Sequence, residues 1–276
     1  MKRIIHILLF SACILCLAAL SSRTAFSDVY DDVARATGGK VTRMTKDEFK
    51  KSVESGENRY AYTKNAVPLF VAVCRAPKEY AIPIDPEIMQ AVFELKDIAG
   101  DIGYSIISPS GETLKPNKGS GDARLPVEVL IEGKRVVLVP SPVPGKWKFK
   151  VGGTGNCAVS VRGQTRLSIL TLRVVRVGGR PGHEGLFPYD GPLAPGAKET
   201  LELSVYGAEK QQVSVKLIGE DGGGLCKAHE TERTEDTVYL DFKVPDKPFR
   251  ILISGKDAKG FTFQRIGDRL YIPDNR

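Results

Sequence analysis

Side chains able to do acid–base, nucleophilic or metal chemistry are few in this sequence and poorly spaced for it. Beyond residue 27 the histidines are His183, among glycines and prolines, and His229, in a polar stretch. Neither has a partner at ligand spacing, and both are expected at the surface. Carboxylates come together at Asp31-Asp32 and Asp85-Pro86-Glu87. Adjacent residues on an extended chain point to opposite faces, so these are poor acid–base pairs. Glu220-Asp221 and Asp101 could offer oxygen to calcium, but no repeated acidic spacing supports such a loop.

Of five cysteines, Cys13 and Cys16 fall in the apolar N-terminal segment and Cys74, Cys157 and Cys226 follow it. No CxxC or Cys/His metal spacing remains among those three. In an oxidising compartment Cys74 and Cys157 can form a disulfide; otherwise all three are buried free thiols, and the sequence leaves that choice open. GxSxG, HExxH and Walker signatures are absent. The Gly152–Gly155 run joins two strand-like segments with no helix start after it, so it lacks the geometry of an anion site. No catalytic, cofactor-binding or metal-ligating residue is assigned, and the chain is read as not an enzyme. Among the aromatics, Trp147 alternates with Phe149 and Val151 and is placed in a core. Tyr104 and Tyr206 are the better candidates for stacking on a ligand, because a tyrosine can keep one wet end.

The elements that would carry such groups are nearly all strands. Between Pro140 and Gly163, Trp147, Phe149 and Val151 alternate with Lys146, Lys148 and Lys150, the period of a half-buried strand. Gly152-Gly153-Thr154-Gly155-Asn156 has turn composition, and Cys157, Val159 and Val161 alternate again, which predicts a β-hairpin. The same alternation recurs at 201–205, 213–217, 238–244 and 249–253, and residues 178–196 are predicted to form a long irregular glycine–proline loop.

The fold class is therefore mostly β. Two antiparallel β-sandwiches are predicted, a jelly-roll or galactose-binding-like one over 66–166 and an immunoglobulin- or fibronectin-like one over 167–276. Residues 28–65 are a short α/β fragment, helix–strand–helix, with a polar linker. The fragment is expected to pack its apolar side, Val33, Val41, Phe49 and Val53, against the first sandwich, with a compact docked helix from about Lys46 to Ser55.

Residues 1–27 read as a signal peptide: Lys2 and Arg3, an apolar stretch from Ile4 to Leu20, and a cleavage site at Ala25-Phe26-Ser27. A membrane anchor is the competing reading, and Phe10-Ser11-Ala12-Cys13 makes a poor lipobox. Cleavage removes Lys2, Arg3 and Arg23 and lowers the net charge from +7 to +4. The remaining basic residues are spread over strand faces without a nucleic-acid-reading motif, so no nucleic acid is expected as partner. No later segment is long and apolar enough for a stable membrane span.

Three segments carry a resemblance. PGKWKFKVGGTGNCAVSVRG resembles the region that follows the von Willebrand factor A-type domain in hemicentin-like extracellular proteins. ILISGKDAKGFTFQRI (251–266), with its phenylalanine–glutamine–arginine step, resembles the end of that region, and VYDDVARATGGKVTRMTKDEF (29–49) is similar to the last helix–strand–helix of the A-type domain itself. The aspartate-x-serine-x-serine metal motif of A-type domains is not in the chain, so the resemblance carries over no metal or adhesion residue. It implies an extracellular β-sandwich platform. The expected function is that of an exported non-enzymatic protein, secreted, periplasmic or at the cell surface, acting as a binding or structural module for a protein or glycan partner. The alternative is a carbohydrate-binding protein with a jelly-roll domain.

Overall fold

The computed structural model describes residues 66–118, 125–131, 133–207, 213–257 and 259–274; the expected signal peptide and the 28–65 fragment lie outside them. Every element among the described residues is a strand. The first six are β1 (Val67–Ile84), β2 (Ile88–Ile107), β3 (Asn117–Lys118), β4 (Val127–Ile131), β5 (Lys134–Pro140) and β6 (Gly145–Thr165). They form one sheet in the order β1-β6-β2-β5-β4-β3, antiparallel except for the short β3–β4 pair.

Three of these strands, β1, β2 and β6, are 18, 20 and 21 residues long, far beyond an ordinary strand. They do not run straight. Phe70 and Tyr80 both belong to β1, and ten extended residues should separate them by roughly 33 Å. Their ring centroids are 4.7 Å apart. The sheet therefore folds over on itself, and both halves of each long strand face one core. Leu69, Ala72 and Cys74 from the first half of β1 share it with Tyr80, Ile82 and Ile84 from the second. Phe93 of β2 meets Trp147 and Phe149 of β6 at 5.9 and 5.6 Å between ring centroids, although its partner across the ladder is Val161.

Glycine makes the fold-over possible. The ladder slips between Ala76 and Lys78 on β1 and between Asp97 and Ala99 on β2. Opposite these slips Gly153 and Gly155 have φ of 87° and 132°. A Cβ on Gly155 would lie 1.9 Å from the carbonyl oxygen of Ala99, and one on Gly153 would lie 2.1 Å from that of Asp101. Only a residue without a side chain fits between backbones that close. This corrects the predicted hairpin: Gly152–Asn156 is a bend inside one continuous strand, and Trp147–Val151 and Cys157–Val161 are its two arms rather than partners. Residues 89–95 and 103–107 likewise belong to one continuous strand, β2.

The predicted faces are present on these strands. Trp147, Phe149 and Val151 are buried, while Lys148 and Lys150 on the outer face share the carboxylate of Glu79 at 3.5 and 3.0 Å. Cys74 and Cys157 sit opposite each other in the β1–β6 register and are joined by a disulfide. That resolves the open choice between bridge and thiols for these two. Cys226 remains free and half-buried, and burial pushes its thiol pKa up.

The remaining strands are β7 (Ser168–Gly178), β8 (Gly185–Pro188), β9 (Lys198–Tyr206), β10 (Ser214–Ile218), β11 (Gly224–Lys227), β12 (His229–Arg233), β13 (Val238–Lys243), β14 (Arg250–Lys256) and β15 (Thr262–Ile266). They make two antiparallel sheets, β11-β10-β14-β15 and β12-β13-β9-β7-β8. Leu201, Leu203, Leu240 and Phe242 from one sheet pack against Val215, Leu217, Ile251, Ile253 and Phe263 from the other. The alternation read from the sequence puts these residues inward. Strands β8 and β12 were not expected: the first lies inside the predicted irregular loop and the second is the polar stretch around His229.

Candidate functional site

The most elaborate polar constellation among the described residues is a joint between the two β units. Arg265 of β15 and Asp85, between β1 and β2, are both fully buried. Nη1 of Arg265 donates to Asp85 Oδ2 at 2.7 Å and to the Gln264 carbonyl at 2.8 Å. Nη2 donates to Asp85 Oδ1 at 3.3 Å and to Thr165 Oγ1 at 2.9 Å, and Nε donates to the Leu167 carbonyl at 3.2 Å. All five guanidinium N–H groups are thus engaged. Thr165 and Leu167 flank the crossing from β6 to β7, so one side chain ties the connector, the second unit and the first together.

Two further bonds extend this joint. Gln264 Nε2 donates to the Leu69 carbonyl at 2.7 Å, and the Val73 N–H donates to the Glu220 carbonyl at 2.7 Å. The phenylalanine–glutamine–arginine step is therefore structural throughout: Phe263 fills the core, while Gln264 and Arg265 hold the joint. In Asp85-Pro86-Glu87 the two carboxylates separate. Asp85 turns inward to Arg265, and Glu87 lies near the surface, 3.9 Å from the Lys259 ammonium.

The two tyrosines singled out in the sequence lie at different cavities. Tyr104 is half-buried, edge-on to Phe149 at 6.1 Å, with the Arg135 guanidinium 5.4 Å from its ring centroid. Burial and the hydrogen bond and charge of Glu128 drive its hydroxyl pKa well above the usual phenol range. It lines two openings of 620 and 230 Å³, the first rimmed by Lys78, Glu79 and Lys150, the second by Thr113, Leu114 and Glu128. Tyr206 is 64% exposed, at the mouth of a 210 Å³ cavity at one end of the second unit. Trp147 lies in the core, its Nε1 donating to the Val143 carbonyl at 2.9 Å. His183 and His229 are exposed.

The acidic residues weighed for calcium do not converge. Asp221 accepts from the Gly223 N–H within its own turn, Glu220 contributes its carbonyl to the joint, and Asp101 is exposed on β2. Among the described residues no three His, Cys, Asp or Glu side chains come together as a metal site requires. Addition of magnesium or calcium is expected to leave the melting temperature of the whole chain unchanged. A rise reversed by chelator would overturn that expectation.

Among the described residues no helix is long and apolar enough to cross a membrane. No family model matches the chain. Of solved structures, Bacillus licheniformis lipase BlEst2 in its propeptide form overlaps 76% of this chain and 42% of its own, at a TM-score of 0.38 and 14% identity. That overlap is too loose to establish a common fold. The chain is similar to Hemicentin-1 of Mus musculus, at 23% identity over 264 residues, and to Hemicentin-1 of Homo sapiens at the same identity and length. The aligned region covers 89% of this chain but spans only 4% of the length of those relatives.

Proposed function

We propose that this chain is an exported, non-enzymatic β-sandwich protein that acts as a binding or structural module at the cell surface or in the periplasm. The observation that carries this reading is the joint. The ion pair with both side chains fully buried, Arg265 with Asp85, fixes one β unit against the other, which suits a rigid platform or spacer. The similarity to Hemicentin-1 across most of the chain, the signal-peptide character of residues 1–27 and the Cys74–Cys157 disulfide support an oxidising, extracytoplasmic setting. On this reading residues 29–49 correspond to the end of an A-type domain, which they resemble in sequence.

A second reading, a carbohydrate-binding protein, is favoured by Tyr104, whose ring stands at two adjoining openings rimmed by charged and hydroxyl side chains. Protein recovered from the envelope or medium of its own cells should begin at or near Asp28 and, once labelled, should decorate the surface of those cells saturably. A chain retaining Met1 in the cytosol, or one that turns over ester, peptide or glycoside substrates, would sink the leading reading. Decoration abolished by free monosaccharide would favour the second.

A further inference from the structure

The outer face of the first sheet, the side away from its core, is closed over part of its width. Val92 of β2 stands opposite Leu138 of β5, which stands opposite Val127 of β4, and Val136 of β5 stands opposite Val129 of β4. Their neighbours in sequence, Ala91, Phe93, Val137 and Val139, point into the core, so the valines and Leu138 share the other side. Val92 and Val136 are nevertheless 0% exposed, and Leu138 and Val127 1%. Pairing across a ladder does not hide a valine that well: Val73, on the same side of β1, is 47% exposed. Among the described residues the apolar side chains that pack on Val92, Val136 and Leu138 are Val129 and Ile131, and both belong to the same face. The face is closed in the single chain, so its cover is a part of that chain.

Chain path, composition and spacing name that part. The chain bends at Ala66, just ahead of β1, and the Ala66 carbonyl accepts from Arg162 Nε at 3.0 Å. Arg162 is opposite Val92 in the β2–β6 register and points to the same outer side, since Val161 next to it is in the core. The chain is thus held on the outer side of the sheet where β1 begins. Residues 119–124, Gly-Ser-Gly-Asp-Ala-Arg, and 208–212, Ala-Glu-Lys-Gln-Gln, offer no large apolar side chain. Residues 52–65, which lead into Ala66, offer Val53, Tyr60 and Tyr62. Strands β2, β5 and β4 lie two, three and four places from β1, about 10, 14 and 19 Å at ordinary strand spacing. On an extended chain Tyr62 lies about 13 Å and Tyr60 about 20 Å before Ala66, and two residues apart they face the same way.

We propose that residues 52–65 cross the outer face of the first sheet from β4 to β1, with the Tyr60 ring seated on Val127 and Val129 and the Tyr62 ring on Val136 and Leu138. Tyrosine suits such a seat, because the ring covers apolar surface while the hydroxyl stays wet. The stretch that reads as a polar linker is then the cover of this face. The inference goes beyond the binding-module reading and narrows it: the surface over β2, β5 and β4 is taken by the chain itself, and a partner has to bind elsewhere.

The test is photo-crosslinking of the whole purified chain carrying Ile131→p-benzoylphenylalanine, a position at the half-buried border of the patch that leaves both seats intact. Illumination should join position 131 to the peptide containing Tyr60 and Tyr62, within one molecule, so that the product still runs as a monomer under denaturing conditions. The double variant Tyr60→Ser/Tyr62→Ser should lower that yield several-fold, because the two rings supply the buried apolar area. Its Trp147 fluorescence should stay that of the parent, a combination that a general folding defect would not give. Crosslinking to residues 119–124 would overturn the proposal in favour of that loop as the cover, and crosslinking between two molecules would overturn it in favour of a second copy. Absence of any crosslink to residues 52–65, or a yield indifferent to loss of both tyrosines, would overturn it as well.

Discussion

Arg265→Met is expected to destabilise the folded chain by about 3–5 kcal/mol, the range for removing one partner of a buried ion pair. The cost arises at Asp85, whose carboxylate is fully buried and receives two of its hydrogen bonds from Arg265, at 2.7 and 3.3 Å. Without the guanidinium it keeps the weak N–H of Glu87 at 3.2 Å and must either hold a bare charge in the interior or take up a proton. The Leu167 carbonyl, in the connector, loses its Nε donor as well. Removing both charges, Asp85→Leu with Arg265→Met, should recover much of the loss, because an ion pair replaced by apolar groups of similar volume is often near neutral. Urea unfolding followed by Trp fluorescence and by far-UV circular dichroism measures both effects. In the single variant the two probes should separate, since Trp147 reports the first unit alone. A single variant as stable as the parent would show that the joint contributes little to folding.

Trp147→Ala is expected to cost a similar amount, about 3–5 kcal/mol, by leaving a cavity where the sheet folds over. Trp147 packs against Phe93 at 5.9 Å, and Phe93 packs in turn against Phe149, so the void would open in the contact that holds the two halves of the sheet together. Trp147→Phe should cost distinctly less, because the ring contact with Phe93 survives and the indole N–H bond to Val143 is the main loss. Thermal unfolding decides this. An unchanged melting temperature accompanied by loss of ligand binding would move Trp147 from the core to a surface site.

The sequence made the faces of strands legible and left their connections obscure. Alternation is local, so Trp147, Phe149 and Val151, or Leu201 and Leu203, could be assigned inward from neighbours two residues away. The Gly152–Asn156 run could not be resolved that way. Glycine at positive φ serves a hairpin turn and a sharp strand bend equally well. What separates the two is the carbonyls of Ala99 and Asp101 pressed against Gly155 and Gly153 from another strand. The joint was hidden for the same reason: Asp85 and Arg265 are 180 residues apart, and nothing beside Asp85 marks it as one half of a pair. Strand β12, His-Glu-Thr-Glu-Arg, has no apolar side to alternate because it is an exposed edge, where charge discourages further pairing.

The disulfide has a mechanical consequence when the chain is pulled from its ends. Val67 faces Gly163 across the β1–β6 ladder, so the points where the chain enters and leaves the first unit lie side by side. Tension applied there peels β1 from β6 one rung at a time, the weakest way to load a pair of strands. The peel ends at Cys74–Cys157. From that rung onward the force crosses from one strand to the other through a covalent bond, and everything between residues 74 and 157 drops out of the load path. The folded sheet with Trp147 and Phe93 inside it lies within that sheltered loop. Stretching the protein can draw out only the arms on either side, residues 66–73 and 158–166, which takes Leu69, Ala72, Val159 and Val161 out of the core and leaves the rest of the first unit inside the covalent loop.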